Sequence, residues 1–154
     1  MKIGIIVHSR TGNTYSVATK LKEKLASTGH EVDLERLHVT GDEGARGGEA
    51  KIENPPDVSG YDALVFGAPV HGFALSKGMT IYLSQIQSLQ NKKITCFVTK
   101  GLRFSWTGGN QAISTMKKLC ESKGGTVCDT GFVVWSKDRE QQIADLVERL
   151  SRCF

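Results

Sequence analysis

The sequence predicts an α/β fold, a doubly wound parallel sheet with helices on both faces. Short apolar runs alternate along the chain with longer segments whose apolar residues recur at helical spacing. The runs at 3–7 and 63–68 are almost uninterrupted, which suits strands buried on both faces. A turn built from hydroxyls and one glycine, Ser9-Arg10-Thr11-Gly12-Asn13-Thr14, separates the first run from the first helical pattern.

That first run, Ile3-Gly4-Ile5-Ile6-Val7-His8, reads as a strand. Val17, Ala18, Leu21 and Leu25 then follow helical spacing, and Gly29 provides a C-terminal stop. Residues 31–37 alternate polar and apolar, as a strand at a sheet edge does. Residues 38–60, rich in glycine and charge and carrying Pro55 and Pro56, read as a surface excursion. Tyr61-Asp62 introduces the central strand at 63–68, and Pro69-Val70-His71-Gly72-Phe73 reads as its loop. Met79, Tyr82, Leu83 and Ile86 form the next helical stripe, and 93–99 the next strand. A long loop at 100–109 leads to a helix with Ala112, Ile113, Met116, Leu119 and Cys120 on one side, ended by Gly124-Gly125. Residues 126–135 read as the last strand. Asp138 and Gln141 have the spacing of a capping box for a final helix striped by Ile143, Leu146, Val147 and Leu150.

A chain of 154 residues with 39% hydrophobic and 23% charged residues fits one ordinary domain, here 1–154. No apolar run approaches the roughly 20 residues that span a bilayer. No signal-peptide pattern precedes the first strand, so no membrane insertion and a cytoplasmic location are expected. Cys96, Cys120, Cys128 and Cys153 show no metal-ligand spacing and read as reduced, largely buried thiols. The net charge of +4 is spread without a basic stripe among aromatics, which argues against nucleic acid.

The loop at 9–14 has the chemistry of an anion site. The first N–H groups of a helix lack internal partners and carry the positive end of its dipole. Ser9, Thr11 and Thr14 add hydroxyl donors, and Gly12 allows close backbone approach. The same residues would also serve as plain helix caps. Neither a nucleoside-triphosphate loop nor a dinucleotide fingerprint is present. Ser-x-Thr-Gly-Asn-Thr after an N-terminal strand resembles the phosphate loop of the flavodoxin family. The resemblance extends to Tyr-Asp-Ala-Leu-Val-Phe-Gly-Ala-Pro and to the later Gly-rich loop, and so covers nearly the whole chain.

That resemblance implies a flavodoxin-like five-stranded parallel sheet of order 2-1-3-4-5 and FMN as the cofactor. It places the phosphate on 9–14. The isoalloxazine ring then lies between Pro69, Val70, His71, Gly72 and Phe73 on one side and Thr99, Lys100, Gly101, Phe104, Trp106, Gly108 and Gly109 on the other. Phe73, Phe104 and Trp106 are the stacking candidates, each equally readable as a loop anchor. A tyrosine often found in the third loop of the family is missing here, as are its acidic residues. His71 is the group able to titrate near neutral pH, and Arg10, Lys100 and Arg103 read equally as solvated charges. Were such a cation about 8 Å from the ring, at an effective dielectric near 20, it would favour the reduced anion by roughly 2 kcal/mol. A comparatively high reduction potential is the corresponding expectation.

Three functions fit this reading: an FMN-binding electron carrier between redox partner proteins, an FMN-dependent NAD(P)H reductase of quinones or similar small acceptors, and a partner subunit without turnover. Gly108-Gly109-Asn110-Gln111 loosely resembles a turn of the quinone-reductase branch. Carriers of the family are usually strongly acidic, whereas this chain is net basic.

Overall fold

The computed structural model describes residues 1–41, 50–101 and 108–154. Five parallel strands form the main sheet: β1 (Lys2–Val7), β2 (Glu31–Arg36), β5 (Ala63–His71), β7 (Lys93–Lys100) and β8 (Thr126–Val134). Their order is β2-β1-β5-β7-β8, which is 2-1-3-4-5 when the long strands alone are counted. The parallel α/β architecture is the one expected from the alternating periodicities, and the strand order is the one the resemblance implied.

The helices are α1 (Asn13–Ser27), α2 (Lys77–Gln85), α3 (Gly109–Ser122) and α4 (Arg139–Ser151). They divide over the two faces because successive strand residues point to opposite sides. Ile3, Ile5 and Val7 join Val17, Leu21, Leu146 and Leu150 in one core, beneath α1 and α4. Ile6, Leu64 and Phe66 join Met79, Tyr82, Leu83, Met116 and Cys120 in the other, beneath α2 and α3. Both central strands therefore carry apolar residues at consecutive positions.

Four details depart from the sequence reading. Pro69, Val70 and His71 are not loop but the end of β5, which turns back at Gly72-Phe73 into the short antiparallel β6 (Ala74–Leu75). The surface excursion carries a small antiparallel pair of its own, β3 (His38–Thr40) with β4 (Lys51–Glu53). Asp138 makes no side-chain cap: its backbone is left-handed, and Gln141 donates instead to Asp145 at 2.8 Å. Gln142 ties the start of α4 to the sheet, accepting from the Val134 amide at 2.8 Å and donating to the Val134 carbonyl at 2.9 Å. Finally, Cys128 and Cys153 form a disulfide, while Cys96 and Cys120 are free and buried as expected. Cys128 stands exposed on the edge strand β8, where its partner is the chain end after α4 rather than a core.

Candidate functional site

Strand register brings the site together. Val7, the last residue of β1, lies beside Gly67 and Gly67 beside Phe97; β5 and β7 run on past that level to His71 and Lys100. The segments that follow them converge above the carboxyl edge of the sheet, where ligands of open α/β sheets bind.

The first segment is folded by its own residues. The Ser9 side chain is buried, and its Oγ accepts the amides of Gly12 and Tyr15, each at 3.2 Å. Ser9 thus caps the start of α1, and its hydroxyl hydrogen remains for another acceptor. Gly12 has a φ of 95°, a left-handed conformation that favours glycine. The Arg36 guanidinium, at the end of β2, donates to the Ser9 carbonyl through Nε at 3.0 Å and through Nη2. Thr14 is buried and its Oγ1 lies 2.8 Å from Thr99 Oγ1 at the end of β7.

The second segment is the tip of β5 with β6. Ser76 Oγ accepts the Met79 amide as the cap of α2 and stands 2.7 Å from His8 Nδ1. Burial, together with the charges of His71, Arg10 and Arg36, holds His8 down at about 4. His8 is therefore neutral at pH 7, and its Nδ1 shares a hydrogen bond with the Ser76 hydroxyl. The His71 ring meets that of His8 edge-on with centroids 6.0 Å apart, and burial followed by the Arg10 charge lowers its pKa too.

In the third segment Lys100 is not a solvated charge. It is 5% exposed, and its Nζ sits 4.8 Å from the Phe132 ring centre. Burial lowers its pKa. A Cβ added at Gly109, the first residue of α3, would lie 3.3 Å from Lys100 Nζ. The ammonium and the positive end of α3 therefore share one place. Gly108 has a φ of 102° and packs directly on the Phe73 carbonyl, leaving no room for a Cβ. It locks the third segment to the second.

These segments line a cavity of 380 Å³. Arg10, Thr11, Asn13 and Thr14 form one part of its wall, Pro69, Val70 and His71 another, and Thr99, Lys100 and Gly101 the third. No carboxylate is among them. Ser9 and Gly12 shape the first segment from behind, while Gly72 and Phe73 are exposed at the hairpin tip. Gly108 and Gly109 are buried behind the third segment. Arg103, Phe104 and Trp106 lie outside the described residues. His8, Arg36 and Ser76 complete the site although the sequence reading gave them no role. The one signal for Arg36 was positional: it pairs with Val7, at the strand end from which the first loop departs. Among the described residues no group of His, Cys, Asp or Glu is placed to hold a metal, and no helix is long and apolar enough to cross a membrane.

No protein-family model matches the chain. It is 23% identical over 153 residues to the flavodoxin of Megasphaera elsdenii, covering 97% of this chain and 98% of that protein. Among solved structures it superposes on oxidised flavodoxin 2 from Bacillus cereus with a TM-score of 0.74, at 20% identity and over 100% of both chains. A flavoprotein from Lactobacillus acidophilus, solved in complex with FMN, is similar at a TM-score of 0.61 and 17% identity, covering 94% of this chain and 97% of that one. Strand order, helix placement and similarity along the full length identify the fold as flavodoxin-like.

Proposed function

We propose that the protein binds FMN and carries electrons between redox partners. The observation that carries this reading is the convergence of the segments after β1, β5 and β7 on one cavity whose lining, among the described residues, is cationic and free of carboxylates. A phosphate fits its first wall, where the opening turn of α1 offers amides and Thr11 and Thr14 offer hydroxyls. When bound, FMN supplies an isoalloxazine ring that takes up one or two electrons; the protein's part is binding, orientation and electrostatics. The phosphate-loop residues hold and orient the ribityl phosphate, while the strand ends at Pro69, His71, Thr99 and Gly101 offer walls for the ring. The similar proteins, one of them solved with FMN, support the same cofactor.

The net charge of +4 separates this protein from acidic carriers and points to a partner surface of the opposite sign. Purified protein should bind FMN one to one and prefer it clearly to riboflavin, and equal affinities would remove the phosphate site. Steady-state assay of the FMN-loaded protein with NADPH and a quinone then separates carrier from reductase. The carrier shows no rapid turnover without a second protein.

A further inference from the structure

Among the described residues, His71 is the one side chain of the cavity wall whose charge can change near neutral pH; the other ionisable groups there are Arg10 and Lys100. It is the last residue of β5, and pairing with Ala74 across the Gly72-Phe73 turn fixes its backbone. Its half-buried ring rests edge-on against His8, with centroids 6.0 Å apart. His8 is held in turn by Ser76, whose Oγ stands 2.7 Å from Nδ1. His71 is thus backed on one side by an anchored ring and lines the cavity with its own.

The charges around it share one sign. Arg10 stands in the wall formed by the first segment, Lys100 at the end of β7, and Arg36 acts on His8 behind it. Lys77 opens α2 beyond β6. Glu53 of β4 borders a neighbouring cavity together with His8, and does not line this one. Burial first, and the Arg10 charge second, disfavour the imidazolium. A negative charge facing His71 inside the cavity is therefore one that a ligand brings. The FMN phosphate is present in both redox states and cancels from a comparison of them, whereas the charge gained by the ring on reduction does not. We propose that His71 takes up a proton when FMN bound in this cavity is reduced. Two electrons and one proton go from donor and solvent to the ring, leaving it an anion, and a second solvent proton goes to the His71 imidazole. By linkage the same proton makes reduction easier, so the potential falls more steeply with pH than the ring alone requires. The inference rests on the reading of the cavity as the FMN site.

The test follows the His71 ring protons of the FMN-loaded protein by NMR against pH, first oxidised and then reduced with excess dithionite. The potential of the fully reduced couple is measured on the same protein from about pH 5 to about pH 9. The His71 midpoint should rise by about one pH unit or more on reduction. Between the two midpoints the potential should fall by about 59 mV per pH unit, two protons accompanying two electrons. Above the upper midpoint it should fall by about 30 mV, one proton accompanying two electrons. His71→Gln should show the shallower slope throughout. If that variant loses FMN, the resonances of the wild type decide alone. A His71 midpoint that is the same in both redox states overturns the proposal and leaves FMN binding standing. So does a steep segment that persists in His71→Gln, since the second proton then resides on the ring. Failure to prefer FMN to riboflavin overturns instead the reading of the cavity on which the proposal rests.

Discussion

Thr14 Oγ1 and Thr99 Oγ1 lie 2.8 Å apart, joining the first turn of α1 to the end of β7 across 85 positions of sequence. Two hydroxyls bring two hydrogens, and one of these is used between them. The other remains for an acceptor in the cavity that both residues line. Thr14 thus braces two walls of the site as well as offering a donor. Replacing Thr11 and Thr14 together with Ala should weaken FMN far more than riboflavin, by about 1.5–3 kcal/mol for each bond lost to the phosphate. Thr99→Val should cost about 1 kcal/mol of unfolding free energy, read from denaturant midpoints. Equal loss of both flavins in the double variant would show that the hydroxyls serve only the brace.

Lys100 concerns the redox potential. Its ammonium is buried beside the start of α3 and the Phe132 ring, in a wall of the cavity. If the ring lies about 8 Å away, the charge favours the reduced anion by roughly 2 kcal/mol, on the order of 90 mV for one electron. Lys100→Gln should lower the potential of the fully reduced couple by up to that amount in a redox titration. Burial should make the shift only weakly dependent on salt. A potential unchanged at low ionic strength would refute the assignment.

His8 predicts the acid limb of stability. The unfolded chain binds this proton below about pH 6.5, whereas folded His8 binds it only near pH 4. Stability is therefore full above about 6.5 and falls as pH drops towards 4, because the unfolded state takes up the proton first. The loss should reach roughly 2 kcal/mol after allowance for the part of the imidazole that solvent reaches. Urea midpoints between these pH values, compared for wild type and His8→Asn, measure it. Identical slopes for the two proteins would contradict the assignment.

Gly108→Ala should be costly. The added Cβ meets the Phe73 carbonyl, and the left-handed φ of 102° is strained for any residue with a side chain. A loss of about 1–3 kcal/mol in stability is expected. FMN affinity should fall with it, because the second and third segments separate. Gly60, where a Cβ would meet open space and which lies away from the cavity, is the control position.

The Cys128–Cys153 bridge closes a loop with a sequence separation of 25 and clips the chain end to the edge strand. Reduction, or Cys128→Ser with Cys153→Ser, should lower unfolding stability by about 2–4 kcal/mol. Because Cys128 lies near the start of β8, at the opposite end from the cavity, flavin binding should persist. Thermal unfolding with and without reductant, followed by flavin titration, checks both halves.

Local pattern determined a great deal here. Apolar runs, alternation and a period of 3.6 residues mark the five long strands and four helices of the structure, but not the short β3, β4 and β6, because burial on one face or two is written in neighbouring residues. The hydroxyl-and-glycine turn at 9–14 was equally legible, since its chemistry lies in consecutive residues. Tertiary structure decided what depends on partners distant in sequence. Local pattern left Lys100 readable either as a ring-side cation or as a solvated charge, and β7 pairing with β8 provides Phe132 for it to lie against. Asp138 and Gln141 had the spacing of a cap, yet Gln142 found better acceptors and donors at Val134 and took over the helix start. Cys128 belonged to an apolar run, but only the edge position of β8 and the course of α4 bring it to Cys153. Arg36 became part of the site through the parallel register that sets it beside Val7. A strand's hydrophobic period says which face a side chain takes; it does not say what stands opposite, and at the ends and edges of the sheet that neighbour decides the chemistry.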